Sequence, residues 1–390
     1  MIKDKPNFEN LHQLYIQKNL DGRLIHLDHI TPILSALKSQ SAVSIIGKSV
    51  LDKPIYGCQF GHGKIKILIW SQMHGNESTT TKALFDLFKF LESDDVFAAE
   101  IINNFTLFCI PILNPDGAQL YTRENANQID LNRDAQKLSQ PESLILRKIF
   151  TDFKPNFCFN MHDQRSIFGV ANSGLPATVS FLAPAFNSNC DYNIVRQKAV
   201  EVIVAMNNDL QKFIPGQVGR FDDAFNINCV GDTFQSLGTP TILFEAGHFQ
   251  NDYQREKSRK YIFIALLSAF GTINENDLVM NNLNNYLEIP QNNPNFFDII
   301  YKNVKIYYDN SFFIINFAIQ YKEELINNTI FFNGFIAKID DLENYFAHAE
   351  IDANEQLFDC ENINYPIINQ KADFYLDENT KIKNGLMISD

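Results

Sequence analysis

Five short runs of apolar residues constrain this chain more than any other feature: residues 44–46, 65–70, 105–112, 156–161 and 240–244. Side chains of a strand alternate between its two faces, so a run that is apolar throughout must be covered on both sides. Segments with helical spacing lie between the runs. Residues 79–91 place Leu84, Phe85, Leu87, Phe88 and Leu91 on one side, and residues 142–150 form a second such segment. Doubly buried strands alternating with helices predict an α/β fold, a mixed and mostly parallel sheet covered by helices. Ahead of it, residues 8–39 carry helical spacing through Leu11, Leu14 and Tyr15, then through Ile30, Ile33, Leu34 and Leu37. Pro32 falls near the start of the second helix, where proline is tolerated.

The texture changes near Ile289, where helical spacing fades and alternating runs begin. Residues 303–308, a turn at Asp309-Asn310-Ser311 and residues 312–320 read as a hairpin, and residues 331–338 as a further strand. Pro290 and Pro294 mark residues 288–297 as a linker. The expected organisation is a helical lead-in over 1–45, a helix-covered sheet domain over 46–285 and a smaller β-rich C-terminal domain over 286–390. A chain of 390 residues is long enough for two or three such units.

Composition excludes several functional classes. With 33 Lys and Arg against 46 Asp and Glu, the net charge of −13 repels polyanions and acidic membranes, so nucleic acid is not an expected partner. No apolar run approaches the ~18–20 residues of a membrane helix. The six cysteines contain no CxxC pair and several sit in strand-like runs, which reads as buried free thiols. The amino terminus lacks the apolar stretch of a signal peptide, and with the cysteine pattern this favours a cytoplasmic location.

Four strand ends carry groups capable of chemistry. The run 65–70 leads into Ser71-Gln72-Met73-His74-Gly75-Asn76-Glu77, so His74 and Glu77 stand where open α/β sheets bind ligands. An imidazole and a carboxylate suit Zn²⁺, although Glu77 alternatively caps the following helix. A catalytic zinc site needs a third protein ligand, and His162, directly after residues 156–161, is a candidate, with a satisfied core histidine as its other reading. Glu245 follows residues 240–244, where a carboxylate is costly unless it is paired or faces a cleft; it reads as a general base for water, or as a structural ion-pair partner. Asn114-Pro115-Asp116-Gly117 forms a turn, and the loop after it brings Arg123, Asp130, Asn132 and Arg133, planar forks and amides suited to carboxylates and oxyanions.

In this order the motifs resemble the zinc carboxypeptidase family. The resemblance begins at Ile46-Gly47-Lys48-Ser49, covers about residues 30–270 and runs through His74-x-x-Glu77, Asn114-Pro115-Asp116-Gly117, Arg123, Asp130-x-Asn132-Arg133, His162 and Glu245. It implies one Zn²⁺ per chain held by His74, Glu77 and His162, with Glu245 as the catalytic base and Arg123 stabilising the oxyanion. It further implies that Asn132 and Arg133 bind the terminal carboxylate of a peptide substrate and that Asp130 hydrogen-bonds the non-ligating nitrogen of His74.

The chain departs from the family pattern at one point. The carboxylate-covering tyrosine expected in residues 221–228 is missing, and Phe225 stands nearest its place. Residues 230–232 correspond to the segment that sets side-chain preference. His248 and Arg220 are further residues with access to substrate, each with a packing or ion-pairing alternative. The expected activity is hydrolysis of a C-terminal peptide or peptide-like amide bond. The alternative is a zinc-dependent deacylase of N-acyl amino acids, similar to succinylglutamate desuccinylase and aspartoacylase around His74-Gly75-Asn76-Glu77; a metal-free binding module is a third.

Overall fold

Burial on both faces organises the larger part of the chain. The computed structural model describes residues 7–38, 41–274 and 280–388, so Ser39, the end of the stretch with helical spacing, and residues 1–6 of the expected lead-in lie outside the described residues. The chain forms two units: Met1–Gln164 with Ala177–Asn292, and Arg165–Pro176 with Asn293–Asp390.

In the first unit, α1 (Phe8–Tyr15) and α2 (Leu27–Ser35) precede β1 (Ser41–Lys48), β2 (Pro54–Phe60) and β3 (Ile65–Trp70). Next come α3 (Thr79–Leu91), α4 (Val96–Asn104), β4 (Phe105–Ile110), α5 (Pro115–Leu120) and α6 (Pro141–Phe153). The unit continues with β5 (Phe157–Asp163), β6 (Val179–Leu182), α7 (Ile194–Leu210), β7 (Val218–Arg220), α8 (Val230–Ser236), β8 (Thr241–Ala246), α9 (Glu256–Asn274) and α10 (Leu283–Glu288). Its eight strands form one sheet in the order β1-β2-β4-β3-β5-β8-β6-β7. The central four, β4-β3-β5-β8, run parallel. Antiparallel pairs join β1 to β2, β2 to β4 and β6 to β8, so the sheet is mixed as expected.

The two sheet faces bury different groups. Ile67, Ile69, Phe159, Met161, Ile242, Phe244 and Ala246 enter the core beneath α3, α7 and α9. Leu68, Trp70 and Cys158 turn to the opposite face, against Phe234 of α8 and Leu146 of α6. Truncating a side chain as buried as Phe244 to alanine costs about 3–5 kcal/mol. The expectation that residues 44–46 are covered on both faces fails, because β1 is an edge strand that leaves Val43 and Ile45 exposed. Asn114-Pro115-Asp116-Gly117 is likewise more than a turn: Asn114 caps α5 by accepting a hydrogen bond from the Gly117 N–H (2.9 Å).

The second unit is β-rich. Phe296–Tyr308 and Ser311–Ile326 pair antiparallel across Asp309 and Asn310, with Tyr308 opposite Ser311. Both turn residues have positive φ (47° and 58°), as a two-residue hairpin turn requires and as Asp and Asn tolerate. Thr329–Ile339 and Phe346–Asp352 flank this pair to make a four-stranded sheet. Tyr301, Phe317, Phe358 and Phe374 belong to a core of the unit's own.

Candidate metal centre

The carboxyl ends of the parallel strands bring the chemically capable side chains together. The chain leaves β3 through Ser71 and Gln72; Gln72 has a φ of 44°, and its buried amide donates to the carbonyls of Ile25 (2.9 Å) and Gly75 (2.8 Å). This fixes the bend that presents His74. A Cβ on Gly75 would lie 2.0 Å from the carbonyl carbon of Gly117, so glycine is needed for the His74 loop to approach the first turn of α5. The two motifs His74-Gly75-Asn76-Glu77 and Asn114-Pro115-Asp116-Gly117 are thus packed backbone to backbone.

His74, Glu77 and His162 converge, each buried. His74 Nδ1 lies 2.8 Å from Glu77 Oε1, His162 Nδ1 lies 2.7 Å from Glu77 Oε2, and the two Nδ1 atoms are 3.1 Å apart. Two imidazole nitrogens and a carboxylate facing one point at these separations match the donor set and spacing that a divalent ion with bonds of ~2.0–2.2 Å requires. Burial alone would raise the Glu77 carboxyl, yet the two imidazoles hold it well below the usual carboxylate range. His162 is shifted down by burial, which outweighs Glu77; at His74 the burial is overcome by the carboxylates of Glu77 and Asp130, and the shift is upward.

Asp130 meets the far side of His74, with Oδ1 3.0 Å from Nε2. The same oxygen accepts from the Asn132 N–H (2.8 Å), and the other accepts from Arg123 Nε and Nη2 (3.2 and 3.1 Å). Arg123 also reaches Glu77 Oε1 (3.2 Å), so its guanidinium bridges the two carboxylates. Glu245 stands opposite His162 in the register of β5 and β8. Its Oε2 is buried without a hydrogen-bond partner among the described residues, and burial, with Glu77 and Asp163 nearby, pushes its carboxyl well above the ordinary range. Asn132 accepts the Val230 N–H at the start of α8 (3.0 Å), while Arg133 is exposed with Nη1 3.2 Å from Cys229 Sγ.

Two residues with expected access to substrate are otherwise engaged. Arg220 donates to the Ile289 carbonyl (3.3 Å) and stacks over Tyr286, while His248 is buried with its ring 4.6 Å from that of Tyr253. Phe225 is half-buried. The sequence reading misses Asp163, whose carboxylate accepts the Thr79 and Thr80 N–H groups (2.9 and 3.3 Å) at the amino end of α3. It also misses Arg255, buried and donating to the carbonyls of Ala246 (2.7 Å) and Gln164 (2.9 Å). For Asp163 a signal exists, an acid directly after a buried strand; Arg255 lies in a loop with none. Cys58, Cys109 and Cys158 are buried as expected, but Cys190, Cys229 and Cys360 are only partly so.

Comparison with known proteins follows the same lines. Residues 30–165 match the model of the zinc carboxypeptidase family, Peptidase_M14. Among curated proteins, the chain is 29% identical over 133 residues to probable carboxypeptidase 2 of Arthroderma benhamiae, covering 33% of this chain and 25% of that protein. It is 28% identical over 186 residues to probable carboxypeptidase 2 of Trichophyton verrucosum, covering 47% and 34%. The chain therefore matches only about a quarter to a third of the length of these relatives. A metallo-carboxypeptidase structure from Burkholderia cenocepacia superposes with a TM-score of 0.50 at 19% identity, over 63% of this chain and 69% of that one, which places the two in one fold.

Proposed function

Residues 30–165 make this chain a relative of the zinc carboxypeptidases, and on that premise we propose that it hydrolyses the C-terminal bond of a peptide or peptide-like amide with one zinc ion per chain. The observation that carries this reading is the convergence of His74, Glu77 and His162 beside Glu245 on the neighbouring strand. His74, Glu77 and His162 would hold the zinc, which when bound would supply a Lewis acid for the scissile carbonyl and for water.

The remaining work falls to the chain's own groups. Glu245, buried and free of a partner at Oε2 among the described residues, takes in its ionised form a proton from the attacking water as the new C–O bond forms. It returns that proton to the amine nitrogen as the C–N bond breaks. Arg123, a fixed positive charge held against Glu77 and Asp130, stabilises negative charge that develops on the carbonyl oxygen. Arg133, exposed, and Asn132 beside it pair with the substrate's terminal carboxylate and so align the bond to be cut. Asp130 fixes the tautomer of His74 by accepting from Nε2. The free thiols of Cys58, Cys109 and Cys158 suit a reducing compartment, and we place the protein in the cytoplasm. Among the described residues no helix is long and apolar enough to cross a membrane.

The test is metal analysis after zinc-replete purification together with a substrate panel of free-acid peptides, their C-terminal amides, and N-acetyl and N-succinyl amino acids. One zinc per chain and release of the terminal residue from free-acid peptides only is the expected outcome. Turnover confined to acyl amino acids assigns the deacylase activity instead. Less than one zinc with no turnover of any substrate leaves a binding module.

A further inference from the structure

The chain crosses between the two units at three places: after Gln164, before Ala177 and after Asn292. Within the first unit, all three ends meet at one side chain. Gln164 Nε2 donates to the Ala177 carbonyl (2.6 Å) and to Ser180 Oγ (3.1 Å), and Gln164 Oε1 accepts from Asn292 Nδ2 (2.8 Å). Ser180 Oγ donates in turn to Asn292 Oδ1 (2.9 Å), which closes a ring of three side chains. Gln164 and Ser180 are buried. Two glycines make room for the ring: a Cβ on Gly247 would lie 1.9 Å from the Ala177 carbonyl oxygen and 2.5 Å from Gln164 Nε2, and one on Gly219 would lie 1.9 Å from Asn292 Oδ1.

The ring is fastened to both strand ends of the metal centre. Gln164 lies two residues after His162, and its N–H donates to the carbonyl of Ala246, the residue after Glu245 (2.9 Å). Arg255 bridges the carbonyls of Gln164 and Ala246. Ser180 is the register partner of Glu245 across β6 and β8. A buried amide satisfied at both ends holds one geometry, because any shift strands a donor or acceptor away from water. We propose that Gln164 is a positioning residue: its amide ring locks the ends of β5 and β8 and so sets the distance between His162 and Glu245. This rests on the function proposed above.

The experiment compares full-length wild type with Gln164→Met, which keeps the side chain's length but not its hydrogen bonds, and with Asn292→Ala, which opens the ring from its far side. Each is loaded with Co²⁺ for its visible spectrum and with zinc for kinetics. Loss of alignment predicts a fall in kcat of about tenfold to a hundredfold with KM changed by less than about threefold, together with an altered Co²⁺ spectrum. If the folded variants keep the wild-type kcat and spectrum and differ only in melting temperature, the proposal is overturned; should Gln164→Met not fold, Asn292→Ala decides alone. Wild type that binds Co²⁺ but cleaves no peptide counts against the proposed function, and the spectrum still decides the role of the ring.

Discussion

At the scale of single residues, the centre is defined by what its carboxylates face. Glu77 lies between two imidazoles and is held ionised, whereas Glu245 has burial and two acids around it and is driven toward protonation. Two carboxyls in one site with opposite shifts is the pattern expected when one holds a cation and the other moves protons. Glu245→Gln preserves shape and removes the base. Its kcat is expected to fall by roughly 10²–10⁴-fold with zinc content unchanged by metal analysis; loss of the metal in step with activity would make Glu245 a ligand instead. The placement of His74, Glu77 and His162 is legible in the sequence because each follows an apolar run whose end is fixed by the sheet. Gln164 and Arg255 are not legible, since their partners lie between 9 and 128 residues away and nothing local marks them.

Elements show the same division. Strands β3, β5 and β8 stand out because burial on both faces makes their central residues predominantly apolar, while β2, with Tyr56, Gly57 and Gln59, carries no such signature. Helix α9 escapes periodicity for a related reason: Ile262, Phe263, Ile264, Ala265, Leu266 and Leu267 are all fully buried, so it has no polar stripe. Helix α3 depends on a cap from outside itself. Ser78 makes no side-chain cap bond, and Asp163 supplies both acceptors. Asp163→Ala therefore costs about 1–2 kcal/mol, read as a lower denaturation midpoint with unchanged slope. The bond from residue 163 to Glu77 Oε2 (3.2 Å) is donated by the backbone N–H, which alanine keeps, so zinc affinity in a chelator competition is expected to stay unchanged.

Helix α8 carries a pH dependence. Burial pushes the Asp232 carboxyl up from 3.8 to about 7 in the folded chain. The folded state thus prefers the protonated acid, and this group's contribution to stability is lost as pH rises from about 4 through 7. Asp232→Asn should melt above wild type at pH 8, with the difference vanishing toward pH 4. An equal difference at both values would mean that the side chain acts through its shape and not through its charge.

The whole molecule consists of two units with separate cores. His74, Glu77 and His162 belong to the first, as do Glu245 and the helices that cover the sheet, whereas Tyr301, Phe317, Phe358 and Phe374 belong to the core of the second. A ligand that binds only the folded form of one unit stabilises that unit by mass action, by ~4 kcal/mol when its free concentration is a thousand times its dissociation constant. Calorimetry of the zinc-loaded chain is therefore expected to show two transitions, and chelation to lower one of them by several degrees while leaving the other in place. The His74→Ala variant assigns the moving transition, because it should sit at the chelated position with or without added zinc. A single transition that shifts as one on chelation would mean that the second unit does not hold its fold once the first has opened, and its hairpin core would then be counted as part of the metal-dependent structure.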